Sequence, residues 1–530
     1  MKKRKRAMLC LLTVLALLFS MTVCGYGAEE QDSRKQTAVP AENEGQAGNK
    51  GKENGEGQDV EKNGDIMILY TSDIHCGAAK GFGFAGLSQI RNTLEAQGYT
   101  TILVDDGDAI QGEALGTVSK GETMIDLMNA MHYNVAIPGN HEFDYGTDRF
   151  LELADKAEYP YISCNFNKEG KLVFEPYKIV EAAGKKIAFV GITTPQTLTS
   201  ANPSYFRNEQ GQYVYGFMQD ESGEALYKAV QDAVDAACGT KLEAVGYSHI
   251  SAKDGIVDTN IWSWNNQIPA PELLNIQNAM RSTVDAELAD FNESLNEVVG
   301  RTTVDLKILD PVEKYENGSS VRLVRITETN MGDLAADAYR ARTGAQIGLA
   351  GSGSLRTELL RGDITYGNLL NLLPYGNEIC VIEVTGQQVL DALEWAARAL
   401  PGESGAFQQV SGISYEIDVS VKSGCIADEN SMCKGIEGPR RVKNVKVGDR
   451  PIDPAEKYSL AGSDFMLLNK GDGFTMFDGA RVLTSGGITD IQALIDYITE
   501  DLGGIVGETY ADPFGQGRIT ILDDPSAAMR

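Results

Sequence analysis

Histidine, cysteine and basic side chains are all in short supply. The chain of 530 residues has four histidines and eight cysteines, with no pair spaced as CxxC, which excludes a disulfide-built scaffold, cysteine-based zinc modules and thioredoxin-like redox chemistry. Forty-seven basic residues face 75 acidic ones, a net charge of −28. That balance excludes nucleic acids as partners bound through a basic surface, and it repels acidic membranes. After the N-terminal segment no apolar run is long enough to span a bilayer. What remains is ordinary for a globular protein, 42% hydrophobic and 8% aromatic. The length implies two or three domains.

Lys2, Lys3, Arg4, Lys5 and Arg6 precede an apolar stretch over 7–23, and the small residues Gly25, Gly27 and Ala28 follow. This is the layout of a signal peptide over 1–28, whose cleavage places the mature protein outside the cytoplasm, whether secreted, periplasmic or at the cell surface, with no stable membrane insertion. A lipid anchor at Cys24 is the alternative, opposed by the bulk of Val23 before it. Residues 29–64 carry only Val39 and Val60 as large apolar side chains and read as a disordered linker, and 523–530 as a tail. Cys425 and Cys433 are close enough in sequence for a local disulfide or a pair of free thiols.

From residue 66 apolar runs alternate with helical patterns, as in βα units around a sheet. The runs at 66–70, 101–104, 134–137 and 242–245 lead into Asp73 and His75, into Asp106 and Asp108, into Asn140 and His141, and into His249. Residues two apart in an extended segment point the same way, so Asp73 and His75 can grip one ion. Loops at the carboxyl ends of strands in an open α/β sheet converge on one crevice. Each fragment alone could be a solvated turn. Four together, using three of the four histidines, indicate a site. His132 ends a helix predicted over 122–131 and reads as a cap or a surface residue rather than a ligand.

The segments YTSDIHCG (70–77), DDGDAIQG (105–112), PGNHEFDYG (138–146) and SHIS (248–251) resemble the calcineurin-like metallophosphatase domain of secreted 5′-nucleotidases and UDP-sugar hydrolases. The resemblance implies two divalent metal ions, manganese, zinc or similar: Asp73 and His75 on one, Asp108 bridging, Asn140 and His249 on the second. It also implies a dyad of His141 and Asp144 that stabilises charge on the transferred phosphoryl group. Paired metals can activate water and clamp phosphate oxygens, which suits oxygen and imidazole ligands. They would also offset the repulsion between an acidic protein and a phosphate ester.

Apolar residues three or four apart from Leu273 to Val298 predict an interdomain helix over 271–299, packed within the chain rather than in a coiled-coil dimer, so the protein is expected to be a monomer. Beyond it, ETNMGDLAADA (328–338), GSGSLR (351–356), GDITYGNLLNLLPYGN (362–377), FQQVSGISYEID (407–418) and DFMLLNKGDGF (464–474) resemble the C-terminal domain of the same family. That domain would bind the nucleotide or nucleotide sugar, with Tyr375 and Phe465 sandwiching the base, Arg325 and Arg356 as cationic partners, and Asn377 and Asp472 as polar ones. The expected architecture is therefore α/β and α+β. A four-layer α/β/β/α sandwich, truncated at one edge, spans 65–270. An α+β substrate-binding domain follows over 300–522.

The chain departs from the family in four places. Gly351 stands where Asn or Ser is usual, Tyr375 replaces Phe, and Asn469 and Lys470 lengthen the spacing between Phe465 and Asp472 by one residue. The fourth is larger. No histidine follows His249, so the second histidine motif that completes the metal sites is missing together with its strands, and only one metal would be retained if the second site is lost. Asn265, Asn266 and Gln267 could lend weak oxygen ligands, and Trp262 and Trp264 would cover the shortened sheet. The expected function is an exported metal-dependent nucleotide phosphohydrolase, with a nucleotide-binding protein impaired in turnover as the alternative.

Overall fold

The computed structural model describes residues 65–220, 222–238, 249–253, 256–260, 273–289, 291–315 and 320–522. The expected signal peptide, linker, C-terminal tail and 242–245 run lie outside these residues, as do Trp262, Trp264 and Asn265 to Gln267.

The first domain is built on β1 (Ile66–Thr71) and β2 (Thr100–Asp105), which pair in parallel with Thr71 beside Asp105. Both strands are apolar on both faces because both faces are covered. Met67, Leu69 and Leu103 face helices α1 (Gly83–Ala96) and α2 (Glu122–Ala130). Ile66, Ile68 and Ile102 face an antiparallel hairpin, β4 (Tyr177–Ala182) and β5 (Lys185–Val190), through Ala182 and Ile187. Helix α3 (Glu224–Cys238) closes the far side of the hairpin with Val230 and Ala233. The layers are α/β/β/α, as the sequence implies, and among the described residues the second sheet is reduced to the hairpin. The main sheet runs β7-β6-β1-β2-β3, with β3 at Val135–Ala136, β6 at His249–Lys253 and β7 at Ile256–Asn260.

The interdomain helix differs from expectation. Rather than one helix over 271–299, α4 spans Ala279–Ala289, started by the Asn278 side chain, which accepts from the Arg281 N–H at 2.9 Å, and a short helix at Asn292–Leu295 follows it. Met280 and Val284 bury against the first domain. Val298 already belongs to a strand, β8 (Val298–Thr302), paired with Gly362–Thr365. Apolar spacing near 298 fits a helix, but a β-branched pair beside an available strand partner is better satisfied in a sheet.

The second domain centres on a five-stranded sheet ordered β11-β9-β12-β10-β13, with β9 at Ile347–Gly351, β10 at Ile379–Thr385, β11 at Gln408–Ser411, β12 at Lys457–Ser463 and β13 at Arg481–Thr484. Helix α5 (Asn330–Thr343), N-capped by Thr329, packs Leu334 and Ala335 on one face with Ala350 and Ile379. Helix α7 (Gly386–Ala396), whose Thr385 and Gln388 form a capping box, packs Val389, Leu393 and Trp395 on the other with Leu349 and Val410. Between them α6 (Tyr366–Leu372), also opened by a capping box at Thr365 and Asn368, ends just before the segment 374–377. Asn371 of α6 accepts from the Ala114 N–H at 2.6 Å, and the Thr117 hydroxyl donates to the Pro374 carbonyl at 3.1 Å. These contacts clasp the second domain onto the first.

Candidate active site

The β1–β2 pairing continues past the sheet as a ladder between two loops. The N–H groups of Asp73, His75 and Cys76 donate to the carbonyls of Gly107, Asp108 and Ala109 at 3.0, 2.9 and 2.9 Å. Asp73, His75 and Asp108 hold φ angles of 54°, 47° and 58°, the left-handed region that costs a side-chain-bearing residue free energy. Glu142 offsets that cost. It is fully buried, and its carboxylate accepts from the N–H groups of Asp108, Ala109 and Gly139 at 2.9, 2.8 and 2.6 Å. Burial and the nearby Asp108 push the Glu142 carboxyl up to about 7. A Cβ on Gly139 would lie 2.3 Å from the Asp108 Oδ1, so only glycine fits there.

His75, Asp108 and His141 offer donor atoms all within 4.8 Å of one another. The His141 Nδ1 meets the Asp144 Oδ2 at 2.6 Å, which fixes the ring, while the backbone N–H of His141 donates to the Asp108 Oδ1 at 2.8 Å. Burial would lower the His141 pKa, but Asp144 and Asp108 outweigh it and hold the imidazolium in favour. His75 is driven the other way by burial, His141 and Arg356. Its Nδ1 lies 3.1 Å from the Gln111 carbonyl, and Arg356 of the second domain donates to its Nε2 at 3.2 Å. Asp106 is raised to about 6 by burial and by the carboxylates of Asp73 and Asp108. Such crowding of carboxylates is what a divalent cation relieves, and the oxygen and imidazole donors present fit one.

A cavity of about 570 Å³ opens between the domains, lined by Asp73, His75, Asp108, Asn140, His141 and Asp144 from the first and by Arg325, Arg356, Tyr375, Asn377, Phe465 and Asp472 from the second. Twelve of the thirteen site residues inferred from sequence thus meet. His249 is the exception: it opens β6 antiparallel to β1, with its Cα opposite Met67, at the end of β1 away from Asp73. The sequence reading expected it on a loop at the carboxyl end of a strand, and the backbone described here does not bring it to the cluster.

Arg325 is lowered to about 10 by burial and by the neighbouring Arg322 and Arg356, so three guanidiniums crowd one wall of an acidic protein. The Tyr375 ring stacks 5.9 Å from His141, and burial pushes its hydroxyl up to about 12. Asn377 donates to the Asp490 carboxylate at 3.4 Å. The lengthened 469–472 loop is absorbed by left-handed Lys470 and Asp472, with φ of 65° and 53°. It sets Gly471 so close to the Phe465 ring that a Cβ there would lie 2.3 Å away. The Asp472 carbonyl accepts from the Trp395 indole at 2.9 Å. Sequence reasoning missed Arg322, Glu142 and Gln408; the position of Glu142 inside GNHEFD was the available signal. Cys425 and Cys433 are free thiols in this structure.

The family description "Calcineurin-like phosphoesterase" matches residues 66–240, and "5′-nucleotidase, C-terminal domain" matches 298–479. The chain is 24% identical over 523 residues to a 5′-nucleotidase of Vibrio parahaemolyticus, covering 82% of this chain and 89% of that one. It is 23% identical over 521 residues to Protein UshA of Escherichia coli, covering 82% and 90%. Its fold is similar to that of a 5′-nucleotidase precursor from Thermus thermophilus, with a TM-score of 0.69 at 21% identity over 87% of this chain and 100% of that one. A sulfate thiohydrolase, SoxB, from Thermus thermophilus shares the fold at a TM-score of 0.62 and 17% identity, covering 88% and 98%.

Proposed function

Because the chain belongs to the 5′-nucleotidase family of metallophosphoesterases, hydrolases of phosphate esters that use divalent metals, we propose that it is an exported enzyme that removes phosphate from nucleotides or nucleotide sugars. The observation that carries the reading is the single cavity shared by a histidine and carboxylate cluster on one wall and by arginines and aromatic rings on the other.

Bound cations, manganese, zinc or similar, would supply charge neutralisation and an activated water. Asp73, His75, Asp108 and Asn140 would hold them. Arg325 and Arg356 attract the phosphate, and the Nε2–H of His141 stabilises the charge that develops as the ester bond breaks, with Asp144 holding the ring in place. Tyr375 and Phe465 take the base between their faces, and Asn377 and Asp472 meet its polar edge. The protein works as a monomer outside the cytoplasm, without nucleic acid partners. No helix among the described residues is long and apolar enough to cross a membrane.

Two observations favour a second reading, a nucleotide-binding protein with impaired turnover holding one cation or none. His249 lies at the far end of β1, and Arg356 engages the His75 nitrogen that a cation would use. Phosphate release from AMP, measured after chelation and again with manganese or zinc restored, decides between them, with His141→Ala as the blank. Release that depends on metal and exceeds the blank is expected. AMP binding without release would establish the second reading.

A further inference from the structure

The cavity wall contains a buried polar atom with no partner. Gln408, the first residue of β11, is 1% exposed and lines the cavity. Its Nε2 donates to the Ala406 carbonyl at 2.9 Å, whereas its Oε1 has no hydrogen-bond partner. Buried amide oxygens are rarely left unpaired, and one in the wall of a ligand cavity can take its missing partner from a ligand.

The strand register sets Gln408 opposite Gly351. Gly351 has an ordinary backbone, φ −65°, and a Cβ there would meet only the Gln408 Nε2 at 3.7 Å and the Ser354 hydroxyl at 3.9 Å. Neither conformation nor crowding requires glycine at this position. The missing side chain leaves a recess bordered by the Nε2 end of the Gln408 amide on one side and by Ser354 on the other, on the loop that carries Arg356. A lone acceptor opposes a phosphate oxygen and suits a hydroxyl donor.

We infer that Gln408 is a sugar-binding residue: its free amide oxygen accepts a hydrogen bond from a ribose hydroxyl of the bound nucleoside, standing in for the polar side chain that position 351 lacks. The inference rests on the nucleotide reading above. It makes Gln408 a determinant of selectivity for ribonucleotides over deoxynucleotides.

Calorimetric titration of the full chain with adenosine, 2′-deoxyadenosine and 3′-deoxyadenosine tests it without requiring catalysis. Gln408→Leu should bind adenosine about tenfold more weakly than the unaltered protein, the effect of one lost hydrogen bond. It should bind one of the two deoxynucleosides as the unaltered protein does, which also shows that the variant is folded. Adding Gly351→Asn to Gln408→Leu should recover adenosine affinity, and no recovery would overturn the substitution for residue 351. The inference also fails if Gln408→Leu leaves adenosine affinity unchanged, or weakens all three ligands alike. If the unaltered protein binds no adenosine, the nucleotide reading falls and takes this inference with it, whereas binding that ignores Gln408 sinks the inference alone.

Discussion

The two walls of the cavity are built by opposite means. On the first domain the backbone itself makes the site: loops laddered carbonyl to amide, four side-chain-bearing residues (Asp73, His75, Cys76 and Asp108) held at positive φ, a buried carboxylate tying the loops together, and a glycine whose replacement would strike Asp108. On the second domain side chains reach in from strand ends and short loops, with open space at Gly351 and room for an extra residue in the 469–472 loop. Phosphoryl transfer tolerates little displacement of its groups, whereas recognition of a base by stacking tolerates much. The wall that performs the chemistry is therefore rigid, and the departures from the family that the described residues accommodate lie on the wall that selects the ligand.

Four substitutions probe that contrast, in falling order of effect. Asp108→Ala removes the carboxylate at the centre of the cluster and should lower phosphate release from AMP by at least about 10²–10³-fold, while calorimetric binding of adenosine persists. Loss of both would mean that the walls are not separable. Glu142→Leu leaves three buried N–H groups unpaired and should lower unfolding free energy by about 3 kcal/mol or more, read as a drop in the chemical denaturation midpoint. A stable variant would show that the loops hold their shape without the carboxylate. Phe465→Ala should weaken AMP binding by about 1–3 kcal/mol, the range for a base on an aromatic platform, and unchanged affinity would remove Phe465 from the base site. Asn371→Ala deletes one clasp between the domains, worth about 1 kcal/mol. Small-angle scattering should then report a slightly larger radius of gyration, and an unchanged value would mean that the clasp does not hold the domains closed.

The first wall was legible because its motifs are short and local. DxH, GD and GNHEFD each place their residues within a few positions of a strand end, and parallel pairing of β1 with β2 then aligns the loops. The second wall was legible only through family resemblance, since a Tyr or Phe in an apolar run carries no local sign that it faces a ligand. Arg322 gave no signal of either kind, and Gln408, although inside FQQVSGISYEID, was not marked out as facing a ligand. Gln408 sits in a strand pattern that reads as core, and only its register against Gly351 brings its amide to the cavity. The interdomain helix was overextended for a related reason: spacing of three and four persists by chance into a segment whose partner, Gly362–Thr365, lies more than sixty residues away in sequence.

The sequence by itself determined the layered α/β architecture, the family, and the grouping of Asp73, His75, Asp108, Asn140, His141 and Asp144, because strand periodicity and clustered polar residues at strand ends are properties of neighbouring positions. Only the tertiary structure decided that Arg356 reaches His75 across the domains, that Glu142 ties the two loops, and where the backbone of His249 lies. Those arrangements depend on strand register and on the docking of one domain against the other, and both are set by the packing of residues far apart in the chain, from 34 positions for Glu142 and Asp108 to 281 for Arg356 and His75.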